Sequence, residues 1–440
     1  MSSPLVVGVT KSFPSLVGPA VATPASSLLL TAMDAAMASL PMAALFVFDR
    51  PIDQPAKRIR TALSRALVPY YPIAGRVAST PPDHHTISCT GEGVAFVAAR
   101  AGCTLHDARL TDRSPAIPVD ELTVTYAGGQ YTNNKGPAGR PFLLMQVTEF
   151  SCGGFVVGVT WDHVVADGVG MAEFLQTIGE SVRGVSSSPP SAVPVRLDTR
   201  LPDLPPPITS LANSLVNSAH NEFPCSYITL PMTFVNRIKA EYRERLNGEQ
   251  PYCSSFEVFV AAIWKCRARA TISDSADHHQ QQDDSSPVAL AFTANVRKQA
   301  DAKDGYYGNL FTFGLAVATR GEVADGDILD LVNLVKDAKA RVPYTFMDGA
   351  AYVGAEMGGR LRDLPVYDVL YVTSWWNLGF DEIDFGAGGP ARVMGNMERR
   401  IVPACILCGR KDKADGVAAM AMCVRKEHEE AFYAELRRLK

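Results

Sequence analysis

The chain has 440 residues, 47% of them apolar and 20% charged, with a formal net charge of −4. That composition supports the buried core of one large α/β unit or of two ordinary domains, two being the expected number, and it excludes disorder of the whole chain. Both signs of charge are mixed along the sequence, which leaves no basic face for nucleic acid and no polybasic run for an anionic membrane, so an anionic ligand must be held by local groups.

The longest apolar run, residues 28–48, contains Asp34 and Pro41. A charge at the centre of a membrane span costs roughly 3 kcal/mol or more, so this run reads as core. The N-terminus lacks the features of a secretory signal and Arg437-Arg438-Leu439-Lys440 is not a sorting tag, which makes the cytoplasm the expected location. Residues 56–68 place Ile59, Leu63, Ala66 and Leu67 at helical spacing before Pro69. Residues 86–98 alternate around Gly91-Glu92-Gly93 and suggest a hairpin; residues 142–147 and 155–160 suggest a second strand pair across Ser151-Cys152-Gly153-Gly154. A helix is expected over 170–179. Residues 184–207, rich in serine and proline, read as a long linker that splits the chain into near halves.

In the second half, Ser254-Ser255 with Glu257 opens an amphipathic helix over 254–270, and the polar stretch 273–287 reads as a mobile surface loop. A buried strand over 288–295, a helix over 328–340 and a strand over 367–376 follow. There is no strict βαβ alternation and no glycine-rich phosphate loop after a strand, which argues against a dinucleotide-binding sheet. The nine cysteines are scattered and read as reduced thiols. Cys405 and Cys408 form one Cys-x-x-Cys without a second pair, so no metal site is expected.

The segment that carries chemistry begins where strand 155–160 runs into Trp161-Asp162-His163-Val164-Val165-Ala166-Asp167-Gly168-Val169-Gly170. His163 stands at the mouth of a strand, where Gly168 and Gly170 let the backbone turn sharply. A neutral imidazole with an ordinary pKa of about 6.5 is suited to taking a proton from an attacking hydroxyl or amine. Thioester acyl transfer needs little beyond such a base, an oxyanion partner and exclusion of water. Asp167 could orient the imidazole as in a triad, or point away and pin the loop through an ion pair. A lone His-x-x-x-Asp leaves both open, and a histidine at a strand end is more often structural than catalytic.

His163-Val164-Val165-Ala166-Asp167-Gly168 resembles the His-x-x-x-Asp-Gly motif of the plant BAHD acyltransferase family, and Asp384-Phe385-Gly386-Ala387-Gly388 resembles that family's Asp-Phe-Gly-Trp-Gly, with Ala387 in place of tryptophan. The similarity continues through Leu67-Val68-Pro69-Tyr70-Tyr71-Pro72-Ile73-Ala74-Gly75-Arg76, Ser254-Ser255-Phe256-Glu257 with Trp264-Lys265, Gly305-Tyr306-Tyr307-Gly308-Asn309 and Thr373-Ser374-Trp375, nearly the whole chain.

The resemblance implies an α/β fold of two similar domains, each a mixed β-sheet with flanking helices, like chloramphenicol acetyltransferase. Residues 1–183 would form the first domain, 184–207 the crossover and 208–440 the second, with a channel between the domains. It implies a ternary complex of acyl-CoA, as co-substrate rather than bound cofactor, with a small acceptor, and His163 as general base. No nucleic acid, membrane or metal is implied, and the expected state is a monomer. Asp167 is expected to be structural and paired with Arg297, while Thr373 and Trp375 line the channel, the threonine hydroxyl serving the oxyanion. Asp384, Gly386 and Gly388 are turn-formers. Ser254, Ser255 and Lys265 are the residues expected to meet coenzyme A. The expected reaction passes a hydroxycinnamoyl or benzoyl group to an amine such as tryptamine or a polyamine; an alcohol or shikimate-like acceptor is the alternative, with Glu382 and Arg360 as candidates on the acceptor side. Three other classes compete: a condensation domain, whose histidine is commonly doubled where Asp162 stands here; a binding protein derived from this fold; and a metal hydrolase using His163 and Asp167.

Overall fold

Continuous apolar strands, buried on both faces, form the centre of the first half. In the computed structural model, which describes residues 8–80, 84–110, 115–126, 139–185, 193–201, 223–245, 252–273, 284–347, 364–398, 400, 402–409 and 416–439, these strands pair into a seven-stranded sheet. It comprises β1 (Val9–Lys11), β2 (Ser15–Val17), β4 (Pro41–Phe48), β7 (Val94–Ala101), β8 (Leu143–Phe150), β9 (Phe155–Asp162) and β14 (Arg392–Asn396). The order is β1-β7-β8-β9-β4-β14, with β2 also on β7. A small sheet of β3 (Ser27–Leu29), β6 (His84–Ser88) and β5 (Arg76–Thr80) stands beside it.

The second half builds a six-stranded sheet from β10 (Ser226–Leu230), β11 (Pro287–Asn295), β12 (Phe311–Thr319), β13 (Val369–Ser374), β15 (Ala404–Cys408) and β16 (Val417–Met422), in the order β10-β16-β15-β13-β11-β12. Both large sheets are mixed: β7–β8, β11–β13 and β13–β15 are parallel and the other pairs antiparallel.

Helices α1 (Ala32–Ala36), α2 (Pro55–Ala66) and α3 (Gly168–Arg183) belong to the first half, and α2 packs on α3. In the second half α5 (Ser255–Ser273) touches α4 (Met232–Arg245), α6 (Arg320–Asp325), α7 (Ile328–Met347) and α8 (Glu429–Arg438). Its residues from Val258 to Trp264 are all fully buried, as befits a helix covered on every side. One apolar cluster joins the halves, with Phe46, Tyr70 and Trp161 packed among Tyr307, Trp375, Phe380 and Ile406.

Several expectations change in detail. The hairpin expected over 86–98 does not form: β6 pairs with β3 and β5, while β7 pairs with β1, β2 and β8. Gly91 and Gly93, at φ of 66° and 93°, carry the chain from the small sheet to the large one instead of folding it back. The expected pair β8–β9 does form. Helix α3 begins two residues early because Asp167 caps it, accepting a hydrogen bond from Gly170 N at 3.0 Å, and it runs on to a left-handed Gly184. The 28–48 run resolves into β3, α1 and β4. Within the linker, the described segment 193–201 lies on the second half, where Val195 bridges Tyr306 and Arg196 and Asp198 are buried. Most of the polar stretch 273–287 lies outside the described residues, and β11 already starts at Pro287. The strand expected over 367–376 is shorter, because a 3-10 turn occupies Val366–Asp368 ahead of β13.

Phe48 is fully buried and stacks on Phe155 with ring centroids 4.8 Å apart. We predict that Phe48→Ala lowers the unfolding free energy by about 3–5 kcal/mol, through lost transfer energy and the cavity left behind; chemical denaturation of the two proteins measures it, and a loss below about 1 kcal/mol would mean that this site collapses freely.

Candidate active site

The apolar strand β9 ends in Asp162, whose side chain is almost wholly buried. Its Oδ1 accepts hydrogen bonds from Ser39 N and Val164 N, both at 3.1 Å, and Arg140 pairs with its other oxygen. His163 N donates to Leu40 O at 2.9 Å, and Trp161 Nε1 donates to Ala166 O at 3.2 Å. The backbone from 161 to 167 is therefore held at both ends and across its middle. Beyond it, Gly170 permits a contact no other residue could make, since a Cβ there would stand 2.0 Å from Tyr307 O.

The imidazole of His163 is fixed by Asn309, with Nδ1 lying 2.8 Å from Asn309 Oδ1. The Asn309 amide nitrogen donates to Asp34 Oδ1 at 2.8 Å and to His163 O at 2.7 Å, so the amide oxygen is the atom that faces the ring. Nδ1 must then carry the proton, which leaves the lone pair on Nε2. Asp34, fully buried, also accepts from Asn309 N at 3.1 Å and pairs with Arg196 at 3.0 Å. Burial pushes the His163 pKa below its ordinary 6.5, opposed in part by the charge of Asp167 and the bond to Asn309. The ring is neutral near pH 7.

Asp167 makes no hydrogen bond to this ring. Arg297 approaches it end-on, Nη1 to Oδ2 at 2.8 Å and Nη2 to Oδ1 at 2.9 Å, and Leu310 N joins the capping Gly170 N as a backbone donor, at 3.1 Å. Arg297 also donates to Tyr306 O at 3.0 Å and Gly308 O at 2.8 Å. Burial would raise the Asp167 carboxyl, but the Arg297 charge and these donors hold it below the usual carboxylate value. Its contribution to stability is present above about pH 4 and is lost as pH falls through the depressed folded value.

His163 stands on the wall of a cavity of about 460 Å³. Around it are Trp161, Phe311, Phe313, Tyr371 and Trp375, with Thr293, Asn295, Thr373, Ser374 and Asn377 as polar points. Phe311 meets the imidazole edge-on at 5.9 Å. Trp375 is buried between Trp161 and Phe380, at 6.5 and 5.3 Å between centroids. Thr373 lies 2.9 Å from the Thr293 hydroxyl. His163, Asp167, Thr373 and Trp375 thus line one cavity, with Arg297 bonded to Asp167.

The other residues singled out from the sequence lie off this wall. Ser254 and Glu257 form a reciprocal helix cap, Ser254 N to Glu257 Oε2 at 2.8 Å and Glu257 N to Ser254 Oγ at 3.3 Å. Ser255 accepts from Lys239 at 2.8 Å, and Lys265 donates to Gly326 O. Asp384 accepts from Gly386 N at 2.7 Å and Gly388 N at 2.8 Å, a tight turn in which both glycines have positive φ. Ala387 is buried against the shared core. Glu382 is exposed, and Arg360 lies outside the described residues. Asn309, Asp34 and Arg196 were not singled out for the site, although Asp34 was already conspicuous as a charge inside an apolar run. Among the described residues, no three His, Cys, Asp or Glu side chains group as a metal centre would require, and no helix is long and apolar enough to cross a membrane.

Removing one member of a buried ion pair leaves the other uncompensated. Asp167→Asn is expected to destabilise the fold by about 3 kcal/mol or more, read from urea unfolding at pH 7. An unchanged midpoint together with loss of activity would instead make Asp167 a partner of the imidazole.

A model of the Transferase family matches residues 7–437. Acyl transferase 15 of Oryza sativa subsp. japonica is 37% identical over 451 residues, covering 98% of this chain and 98% of that protein. Myricetin 3-O-glucosyl 1,2-rhamnoside 6'-O-caffeoyltransferase AT1 of Crocosmia x crocosmiiflora is 31% identical, with coverage of 97% and 98%. The crystal structure of vinorine synthase, 19% identical, shares the fold at a TM-score of 0.73 over 98% of both chains. With its His-x-x-x-Asp segment standing on the cavity wall, the chain belongs to the BAHD family and is an acyl-CoA-dependent acyltransferase.

Proposed function

We propose that the enzyme passes an aromatic acyl group, hydroxycinnamoyl or benzoyl, from acyl-CoA to the hydroxyl of an uncharged acceptor. The observation that carries this reading is the His163–Asn309 bond, which leaves Nε2 of a neutral imidazole as the free base beside an apolar cavity. In the proposed step Nε2 takes the hydroxyl proton as the acceptor oxygen attacks the thioester carbonyl, and Thr373 donates to the oxyanion that develops. Collapse breaks the carbon–sulfur bond, and the thiolate recovers the proton from the imidazolium. In this step the acceptor attacks the bound thioester directly, so no covalent enzyme intermediate forms.

The five aromatic side chains on the wall suit a planar acyl group, and the related caffeoyltransferase carries such a group in its name. The acceptor follows from charge. The one carboxylate among the described lining residues, Asp167, is already held by Arg297, so those residues offer an entering ammonium no free counter-ion. An amine, the acceptor suggested by family resemblance, would have to arrive neutral. Ser254, Ser255 and Lys265 take no part in the chemistry at His163 in this reading, because they lie off the wall.

Thiol release from benzoyl-CoA and hydroxycinnamoyl-CoA with matched panels of alcohols and amines tests the proposal. Alcohols are expected to turn over at least ~10-fold faster than amines, and His163→Ala is expected to lose at least ~100-fold in kcat. Faster turnover of amines would overturn the acceptor assignment; wild-type rates equal to those of His163→Ala would overturn the base assignment.

The lowered pKa of His163 also fixes a sign. Protonation removes the base, so kcat/KM is expected to fall with decreasing pH along a limb centred below about 6.5 and to be level just above it. A limb centred above 7 would show that the imidazole is held in its charged form.

A further inference from the structure

Strands β11 and β13 run parallel, with Phe292 beside Val372, and this register brings Thr293 next to Thr373 on the cavity side. The two hydroxyl oxygens are 2.9 Å apart. Neither hydroxyl makes any other hydrogen bond among the described residues. A threonine hydroxyl has one proton and two lone pairs, so this single bond can be made in only two ways. If Thr373 donates to Thr293, its proton is unavailable to substrate. If Thr293 donates to Thr373, the Thr373 proton is free for the cavity, and accepting a hydrogen bond makes that proton a better donor.

We infer that Thr293 is a positioning residue for the acyl transfer: it donates to Thr373 and so turns the Thr373 proton towards the developing oxyanion. The inference rests on the reading of Thr373 as the oxyanion donor. Thr293 itself touches neither the thioester nor the imidazole in this scheme and acts through its neighbour. An oxyanion at Thr373 selects the productive order, because while the two threonines stay bonded to each other the Thr373 proton can reach it only if Thr293 is the donor of that bond. The ground-state carbonyl is a weaker acceptor, so the effect falls on kcat rather than KM.

Thr293→Val keeps the shape and removes the hydroxyl; Thr293→Ser keeps the hydroxyl. With one acyl-CoA and one acceptor that turn over, Thr373→Val is expected to lower kcat ~100-fold. Thr293→Val should lower it about tenfold, with both KM values within about twofold and an unchanged thermal midpoint. Thr293→Ser should return kcat to within about twofold of wild type, and Thr293→Val should add no further loss in the Thr373→Val background. If Thr373→Val loses activity while Thr293→Val does not, the inference fails and the oxyanion reading stands. If Thr373→Val is fully active, the oxyanion reading fails and takes the inference with it. Equal losses from Thr293→Val in both backgrounds, or no rescue by serine, would show that Thr293 acts by packing and would overturn the inference.

Discussion

The ion pair between Arg297 and Asp167 is the contact on which the site depends. Asp167 caps α3 from the first half and receives Leu310 N from the second, while Arg297 reaches back to the carbonyls of Tyr306 and Gly308. The 305–310 segment is thereby fixed against the start of α3, and Asn309 lies within it. The residue that sets the proton on His163 is thus held in place by the aspartate four residues further along the same motif. Both charges are largely buried, and in such surroundings each requires the other, so the junction resists opening more than its apolar contacts alone would demand.

Asp34 plays a corresponding part through the backbone and side chain of Asn309. A carboxylate within an apolar run would be costly to bury by itself, and its counter-ion, Arg196, comes from the crossover segment more than 150 residues away. The crossover therefore does more than connect: it brings in the cation that allows Asp34 to hold the Asn309 amide. His163 consequently has a neutral hydrogen-bonding neighbour in place of a triad carboxylate, and burial keeps its pKa low instead of raising it.

Much of this was legible in the sequence because it depends on local patterns. The strand before His163, the cap at Ser254 and the glycines at the motif mouth follow from periodicity and turn chemistry, and family resemblance supplied the pairing of Asp167 with Arg297. What was not legible depends on register between distant strands. The alternation over 86–98 looked like a hairpin, yet its two strands belong to different sheets, a choice made by long-range packing and not by the Gly91–Gly93 turn. Asn309 could be read as part of a glycine- and tyrosine-rich motif, but its partners Asp34 and the His163 carbonyl come from segments that only the folded topology brings together. The neighbourhood of Thr293 and Thr373 likewise exists only once β11 and β13 lie side by side.

Strand β14 extends this interdependence from the site to the whole molecule. Its residues, from near the C-terminal end, pair antiparallel along β4 and complete the sheet formed by the first half. A chain ending at the crossover would leave β4, apolar at every position but its terminal proline, as a bare sheet edge able to recruit strands from other molecules. The last strand of the first sheet reaches its place only after most of the second half has been synthesised, so cutting the chain at the crossover would part β4 from its partner β14, and in the nascent chain that edge lacks this partner until residue 396 has emerged.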